Sequence, residues 1–170
     1  SRGLAGELLQ MLTLKQVELD EAVQNLRIKI SGCFNSCGQH HISDLGFYGN
    51  SRTFKGYKVP HFQVVLGGQW NNNAGKFGMA MGAIPSKNIP KVVVKLTEYY
   101  VDNRNSKDQS FQEYYSSQHK SDIKAQLLEF TEIPPYLEDS EFYTDWGDPR
   151  VFTLGDMGVG ECAGEVVSLT

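Results

Sequence analysis

The order of hydrophobic and polar residues predicts a helix at the start of the chain and a strand soon after it. The apolar residues of the helix recur at helical spacing without an intervening proline: Leu4, Leu8, Met11 and Leu12. Apolar and polar residues then alternate from Leu26 to Ile30, which is typical of a half-buried strand. Because Ser31 and Gly32 end that pattern with a turn signal, Cys33 is expected to emerge directly from a strand end.

Two further segments have patterns typical of strands. They cover residues 41–48 and 62–66, and both lie in the glycine-rich middle of the chain. The second segment ends at Gly67 and Gly68, where the absence of side chains allows close approach to the backbone.

Three more helices are predicted in the second half of the chain. Apolar residues follow a 3.6-residue period over 89–100, with Pro90 near the first turn. Aromatic residues within 111–115 predict a short helix, and apolar residues within 121–130 predict another, which Pro134-Pro135 stops. The interleaving of strands and helices indicates an α+β or α/β protein, and we expect α+β, a sheet with helices packed on it.

The chain has no internal repeat and no linker rich in proline or serine, so residues 1–133 are expected to form one domain. Regular patterns fade afterwards. Residues 134–170 are acidic at first and then rich in glycine, which predicts an extended C-terminal tail on the domain surface.

Composition excludes several classes of protein. Sixteen Lys and Arg against twenty Asp and Glu give a net charge of −4, which disfavours binding to nucleic acid or to an anionic membrane surface. No apolar run has the roughly 18 residues of a membrane span. Three cysteines are too few and too unevenly placed for a disulfide-stapled domain, so we expect a reducing, cytoplasmic compartment.

The pair Cys33 and Cys37 is the strongest candidate for chemistry, because two thiols three residues apart at a strand end can bind one metal centre. Zinc would need two more ligands, which His40 and His41 could supply. A redox dithiol is a weaker interpretation, because its usual spacing is Cys-x-x-Cys. The two thiols could also pack as small hydrophobic groups, or they could be ligands of an iron–sulfur cluster.

The whole string Ser-Gly-Cys-Phe-Asn-Ser-Cys-Gly-Gln, followed by Asp44 and Gly46, resembles the second cysteine motif of the siroheme-dependent nitrite and sulfite reductases. The resemblance covers about residues 3–133. It implies that the chain carries part of the domain that binds the 4Fe-4S cluster and siroheme. The full enzyme would reduce nitrite to ammonia or sulfite to sulfide, with electrons from a donor such as ferredoxin or a flavoprotein.

The resemblance also implies roles for individual residues. In the family a Cys-x5-Cys pair and a Cys-x3-Cys pair hold the cluster, so Cys33 and Cys37 would be the second pair of ligands. Cys37 would also bridge the cluster to the siroheme iron. The turn would be held by residues that also donate hydrogen bonds near the cluster sulfurs: Asn35, Gly38 and Gln39. The macrocycle would approach the backbone at three glycines: Gly32, Gly67 and Gly68.

Two departures from the family pattern stand out. Phe34 replaces the usual proline, so the loop is expected to be looser while the aromatic ring can shield a cluster from water. The sequence contains no Cys-x5-Cys pair, and Cys162 cannot replace it because it is one distant thiol. Since a helix like 3–9 follows the first cysteine pair in the family, the chain is expected to be a piece cut downstream of that pair, inactive by itself and completed by the rest of the same polypeptide.

Basic residues in the middle of the chain could meet siroheme carboxylates or the acidic face of an electron donor, although solvated lysines are common: Arg52, Lys55, Lys58 and Lys76. A rival function from a different class is a non-enzymatic zinc-binding or scaffold module that uses Cys33, Cys37 and the neighbouring histidines. The sequence does not distinguish nitrite from sulfite.

Overall fold

The computed structural model describes residues 1–15, 19–71, 75–157 and 165–168. Five helices lie among these residues: α1 (Arg2–Lys15), α2 (Glu21–Gln24), α3 (Ile89–Asn103), α4 (Phe111–Ser117) and α5 (Lys120–Leu127). The strands are β1 (Ile28–Ser31), β2 (Leu45–Phe54), β3 (Tyr57–Leu66), β4 (Met79–Pro85) and β5 (Glu165–Ser168). The predicted α+β class, a sheet with helices packed on it, is confirmed.

The sheet is mixed, with the order β1-β2-β3-β4 and with β5 also paired to β2. Strand β1 runs parallel to β2, from Ile28 opposite Leu45 to Ser31 opposite Tyr48, and β5 continues along the same edge of β2. Strand β3 is antiparallel to β2, and β4 is antiparallel to β3. The β2–β3 hairpin turns on Lys55-Gly56, both at positive φ (47° and 85°), the conformation that fits the twist of a two-residue hairpin.

One face of the sheet, which we call the helix face, carries the apolar core. Leu45 and Phe47 of β2 point to this face, and both are fully buried. They belong to one cluster with residues of α1 and α3: Leu4, Leu8, Ile89, Val92, Val93 and Leu96. Each of the two helices therefore buries one stripe of apolar side chains against the sheet, which explains the apolar periodicity of its sequence.

The opposite face, which we call the loop face, is more polar. Because side chains alternate along a strand, Ser31 of β1, Tyr48 of β2 and Gln63 of β3 share this face, neighbouring one another across the sheet. The connection from β1 to β2 lies over it, as ring contacts between His40 and Tyr48 show.

Helical periodicity predicts the positions of the helices well. The alternating patterns predict the strands less completely. Helices α1, α3, α4 and α5 lie where expected. Of the predicted strand 41–48, the first part is a 3₁₀ turn, His40–Ile42, and the strand begins at Leu45 and continues to Phe54. The reason is that residues 41–44 give their backbone carbonyls to other loops: Gly78 N–H donates to His41 O, and Gly68 N–H donates to Ser43 O.

The C-terminal segment contains short helical turns, Ser140–Tyr143 and Leu154–Met157, and strand β5. The sequence predicts an extended surface segment here, yet the Tyr143 side chain is fully buried and its hydroxyl donates to Pro134 O at 2.8 Å. Trp146 Nε1 donates to Ser86 O at 3.2 Å, which fastens the segment to the start of α3. The first part of this segment thus packs into the domain instead of only covering it.

Candidate functional site

The cysteine motif lies in the connection between β1 and β2. These two strands are parallel, so the connection, residues 32–44, must return from the end of β1 to the start of β2 across one face of the sheet. Both thiols stand at its beginning and neither forms a disulfide. Cys33 is only 4% exposed, whereas Cys37 is exposed. The loop therefore presents one thiol at the surface and holds the other close to the sheet.

The second half of the motif is a tight turn. Ser36 and Gln39 have positive φ angles of 59° and 61°, and Gln39 N–H donates to Ser36 O at 2.7 Å. Gly38 follows Cys37, and a Cβ on it would lie 2.5 Å from Ile30 O, so only glycine allows this approach to β1. Gly38 N–H donates to Ser31 Oγ at 3.1 Å. Contacts with β1 thus fix the chain immediately after Cys37.

Most of the site residues predicted from the sequence lie together in this loop. The side chains of Asn35 and Gln39 are exposed on the same short segment as Cys37. Gly32 is also exposed, and a Cβ there would meet only Ser1 Oγ, at 3.7 Å. The Cβ side of Gly32 therefore faces open space, and contact of a macrocycle with it stays a prediction.

The other two predicted glycines lie elsewhere. Gly67 and Gly68 follow β3 at the Leu45 end of β2, whereas Gly32 follows β1 near Gly49. Gly67 N–H donates to Asp44 O at 3.0 Å, and a Cβ on Gly68 would lie 2.5 Å from His41 O. The backbone of residues 41–43 thus fills the space beside Gly68. A Cβ on Gly67 would meet only Ser116 Oγ, at 3.8 Å, and glycine suits that position because its φ is 74°.

Asp44 and Gly46, which end the motif, close the loop onto β2. Asp44 Oδ2 accepts the Arg27 N–H at 2.9 Å, just before β1, and burial raises the pKa of the Asp44 carboxyl. A Cβ on Gly46 would collide with His40 O. The spacing of these residues from the cysteines therefore reflects how the crossover packs on the sheet.

His40 has a place in the loop that the sequence did not indicate. Its side chain is fully buried, its Nδ1 lies 2.8 Å from Ser31 Oγ, and its ring centroid lies 4.8 Å from that of Tyr48. Burial, and then the neighbouring His41, lower the pKa of His40 to about 4, so the ring is neutral at pH 7. The sequence does not show which of the two consecutive histidines, His40 or His41, is the buried one.

The basic residues of the middle of the chain are partly engaged within the domain. Lys58 Nζ donates to Thr53 Oγ1 at 2.6 Å, and Lys76 Nζ donates to Ser116 Oγ at 2.8 Å. Lys55 Nζ lies 5.4 Å from the centroid of the Phe54 ring.

The described residues do not bring the two cysteines and the two histidines together as a zinc site. Among the described residues, three or more His, Cys, Asp or Glu side chains nowhere come together as a metal-binding group. His40 turns its Nδ1 to Ser31, and His41 packs its ring against Phe77, with centroids 5.6 Å apart. Cys162 lies outside the described residues.

Comparison with known proteins agrees with the family that the cysteine motif resembles. The sequence model of the nitrite and sulphite reductase 4Fe-4S domain matches residues 14–112, a stretch that contains both cysteines. The chain belongs to this family. Its members in the comparison are oxidoreductases, and the family is defined by a domain for an iron–sulfur cluster.

Three curated relatives come from different organisms. The assimilatory ferredoxin-dependent nitrite reductase of Haloferax mediterranei is 25% identical over 74% of this chain, and the match spans 22% of that protein. The ferredoxin–nitrite reductase of Synechococcus elongatus is 32% identical over 48% of the chain and 16% of its own length. Sulfite reductase [ferredoxin] 1 of Mycolicibacterium paratuberculosis is 30% identical over 60% of the chain and 18% of its own length.

A solved structure has a similar fold as well. The NirA protein of Mycobacterium tuberculosis superimposes with a TM-score of 0.58 and 28% identity, over 72% of this chain and 22% of that one. The chain therefore spans about a fifth of the length of the relatives it matches. In the part of the chain that the structure describes, no helix is long and apolar enough to cross a bilayer.

Proposed function

We propose that this chain is part of a siroheme-dependent nitrite or sulfite reductase, in which Cys33 and Cys37 supply two of the four thiolate ligands of a 4Fe-4S cluster. One observation carries the proposal. Neither thiol forms a disulfide, and both lie at the start of the loop that connects β1 to β2. Contacts of its glycines with the sheet fix this loop, which lies within the segment that matches the family model.

The donor set fits half of a cluster site. Thiolate sulfur is the ligand that 4Fe-4S clusters use, and four are needed, so two more must come from polypeptide outside this chain. The exposed Cys37 and the open backbone at Gly32 leave room for an inorganic group at the loop surface. When bound, such a cluster passes electrons singly to a partner cofactor.

The other residues of the loop act by shaping it. Gly38 brings the chain after Cys37 against β1, and the left-handed conformation of Gln39 closes the turn. Asn35, next to the exposed surface, is proposed to contribute hydrogen bonds near the cluster, which help to set its potential. We assign Gly68 to the packing of the loop first, since residues 41–43 occupy its open side, and Gly67 to the turn after β3, where its φ of 74° favours glycine. Contact of either with siroheme, and the bridging role of Cys37, stay predictions from the resemblance.

The relatives favour one type of electron donor. All three named reductases are ferredoxin enzymes, so we propose a ferredoxin-type one-electron donor before a flavoprotein. Two of them are nitrite reductases and one is a sulfite reductase, so either anion remains a candidate substrate. A cytoplasmic location is proposed with them, because free thiols persist in reducing compartments.

The test uses the full-length protein from which this chain derives. Cys33→Ala and Cys37→Ala are each expected to abolish the bound iron and acid-labile sulfide and the visible absorption of the cluster. Cys162→Ala is the matched control, because it removes a thiol outside the motif, and it is expected to keep the full iron and sulfide content. Full cluster content in either motif variant, or stoichiometric zinc in place of iron in the wild-type protein, would overturn the proposal.

A further inference from the structure

Ser31 connects the two ends of the Cys-x3-Cys segment, one end through the chain and the other through a hydrogen bond. It is the last residue of β1 and stands two positions before Cys33, so the strand itself fixes the chain at that thiol. Its hydroxyl oxygen also accepts the N–H of Gly38, the residue directly after Cys37. The beginning and the end of the Cys-x3-Cys segment are therefore held at the same point on the sheet.

The hydroxyl of Ser31 is also hydrogen-bonded to His40. The Gly38 N–H can only donate, so Ser31 Oγ is the acceptor of that bond. Nδ1 of His40 lies 2.8 Å from the same oxygen, and because a hydroxyl can both donate and accept, either neutral tautomer of the ring can form this second bond. Burial lowers the pKa of His40 to about 4, so the ring is neutral near pH 7.

His40 is itself held in place by the loop face. Its ring is fully buried and lies against Tyr48, and its carbonyl accepts the Ser43 hydroxyl at 3.0 Å. The same carbonyl faces Gly46, where no side chain would fit. The ring therefore has little freedom to move, and its hydrogen bond holds the Ser31 hydroxyl in place.

These contacts lead to an inference that rests on the proposed function. We propose that Ser31 and His40 are positioning residues for the cluster: they set where the Cys37 thiol stands relative to the Cys33 thiol, without touching the cluster. Hydrogen-bonding residues behind metal ligands commonly change metal retention or activity by about 10- to 100-fold when they are removed. We expect an effect of that size here.

The experiment compares four variants of the full-length holoprotein: Ser31→Ala, His40→Leu, His40→Asn and His41→Leu. Ser31→Ala removes only the hydroxyl, and His40→Leu removes the ring nitrogens. His40→Asn keeps a hydrogen-bonding atom near the position of Nδ1. His41→Leu is the matched control, because the His41 ring packs on the rings of His40 and Phe77, while the bond to Ser31 comes from His40.

The measurements are the rate at which a chelator removes iron and the EPR spectrum of the reduced cluster. Ser31→Ala and His40→Leu are expected to lose iron roughly 10- to 100-fold faster than wild type and to show an altered spectrum. His41→Leu and His40→Asn are expected to stay close to wild type. Rescue by asparagine is the result that a purely space-filling role of His40 would not give.

Two outcomes separate this inference from the proposed function. If the wild-type protein holds no iron–sulfur cluster, the proposed function fails and the inference with it. If the wild type holds a cluster and Ser31→Ala loses iron no faster than His41→Leu, the positioning role is wrong while the function stands. Should His40→Leu not fold, the pair Ser31→Ala and His40→Asn decides alone, and equal iron loss in the two overturns the inference.

Discussion

The helix face and the loop face of the sheet have different roles and carry different kinds of residues. The helix face holds the domain together by burying side chains such as Phe47 and Val92, whose shapes fill the space between sheet and helices. The loop face uses glycines, a serine and a histidine to fix a connection that would otherwise be free. The contrast indicates that stability resides mainly on one face and the geometry of the candidate cluster site on the other.

The largest effect is expected from damage to the helix face. Phe47 is fully buried in the core cluster, so Phe47→Ala removes a ring and leaves a cavity among packed side chains. We expect the free energy of unfolding to fall by about 3–5 kcal/mol. Urea unfolding of the chain followed by circular dichroism measures this, and a loss below about 1 kcal/mol would show that the core is not where the stability lies.

A second effect concerns pH and should come from the loop face. His40 and His61 are both buried, and burial lowers the pKa of each to about 4. In the unfolded chain histidine has its ordinary pKa near 6.5, so between these values the unfolded state binds more protons. The free energy of unfolding is therefore full above about pH 6.5, and it should fall by a few kcal/mol as the pH drops to about 4.

The same pH series separates the two histidines. His61 Nδ1 lies 2.9 Å from Val59 O on β3, whereas His40 lies in the connection between β1 and β2. Variants His40→Asn and His61→Gln should each remove part of the slope of unfolding free energy against pH over this window. A wild-type slope that is flat between pH 6.5 and 4 would contradict the burial of both rings.

The smallest effect tests the close packing of the loop. Gly46→Ala would place a Cβ about where the His40 carbonyl stands, and we expect a loss of about 1–3 kcal/mol from the forced shift. Gly6→Ala is the matched control, because a Cβ there meets nothing within 4 Å and the residue is helical. It should stabilise the chain by up to about 1 kcal/mol, since alanine favours helix over glycine. Equal effects of the two substitutions would mean that the loop yields easily at Gly46.

The sequence was informative where one residue type has one strong physical meaning. Helical periodicity located α1 and α3, and two cysteines at a strand end located the candidate site. Strand β4 was not predicted, because Met79–Pro85 alternates weakly and contains small residues whose burial depends on the neighbouring strands. The buried place of Tyr143 likewise depends on contacts with distant residues, which no local pattern records.

The site was predicted as a set of residues and not as an arrangement. Cys33, Asn35, Cys37, Gly38 and Gln39 lie in one loop, as the motif suggested. The sequence carries no signal for the contact of His40 with the loop, because that contact is a hydrogen bond to Ser31, nine positions earlier in the chain. Local spacing cannot show such a bond, since it exists only once the loop has folded back over β1.

The cysteines are carried by the connection that a parallel strand pair requires, and this has a consequence for the order of assembly. When β2 aligns beside β1, the same event lays residues 32–44 across the sheet and seats Gly38 against Ile30. In the proposed site, the half that this chain supplies would therefore take its shape from the pairing of two strands. A cluster that bound there would meet a loop whose turns the sheet already holds in place.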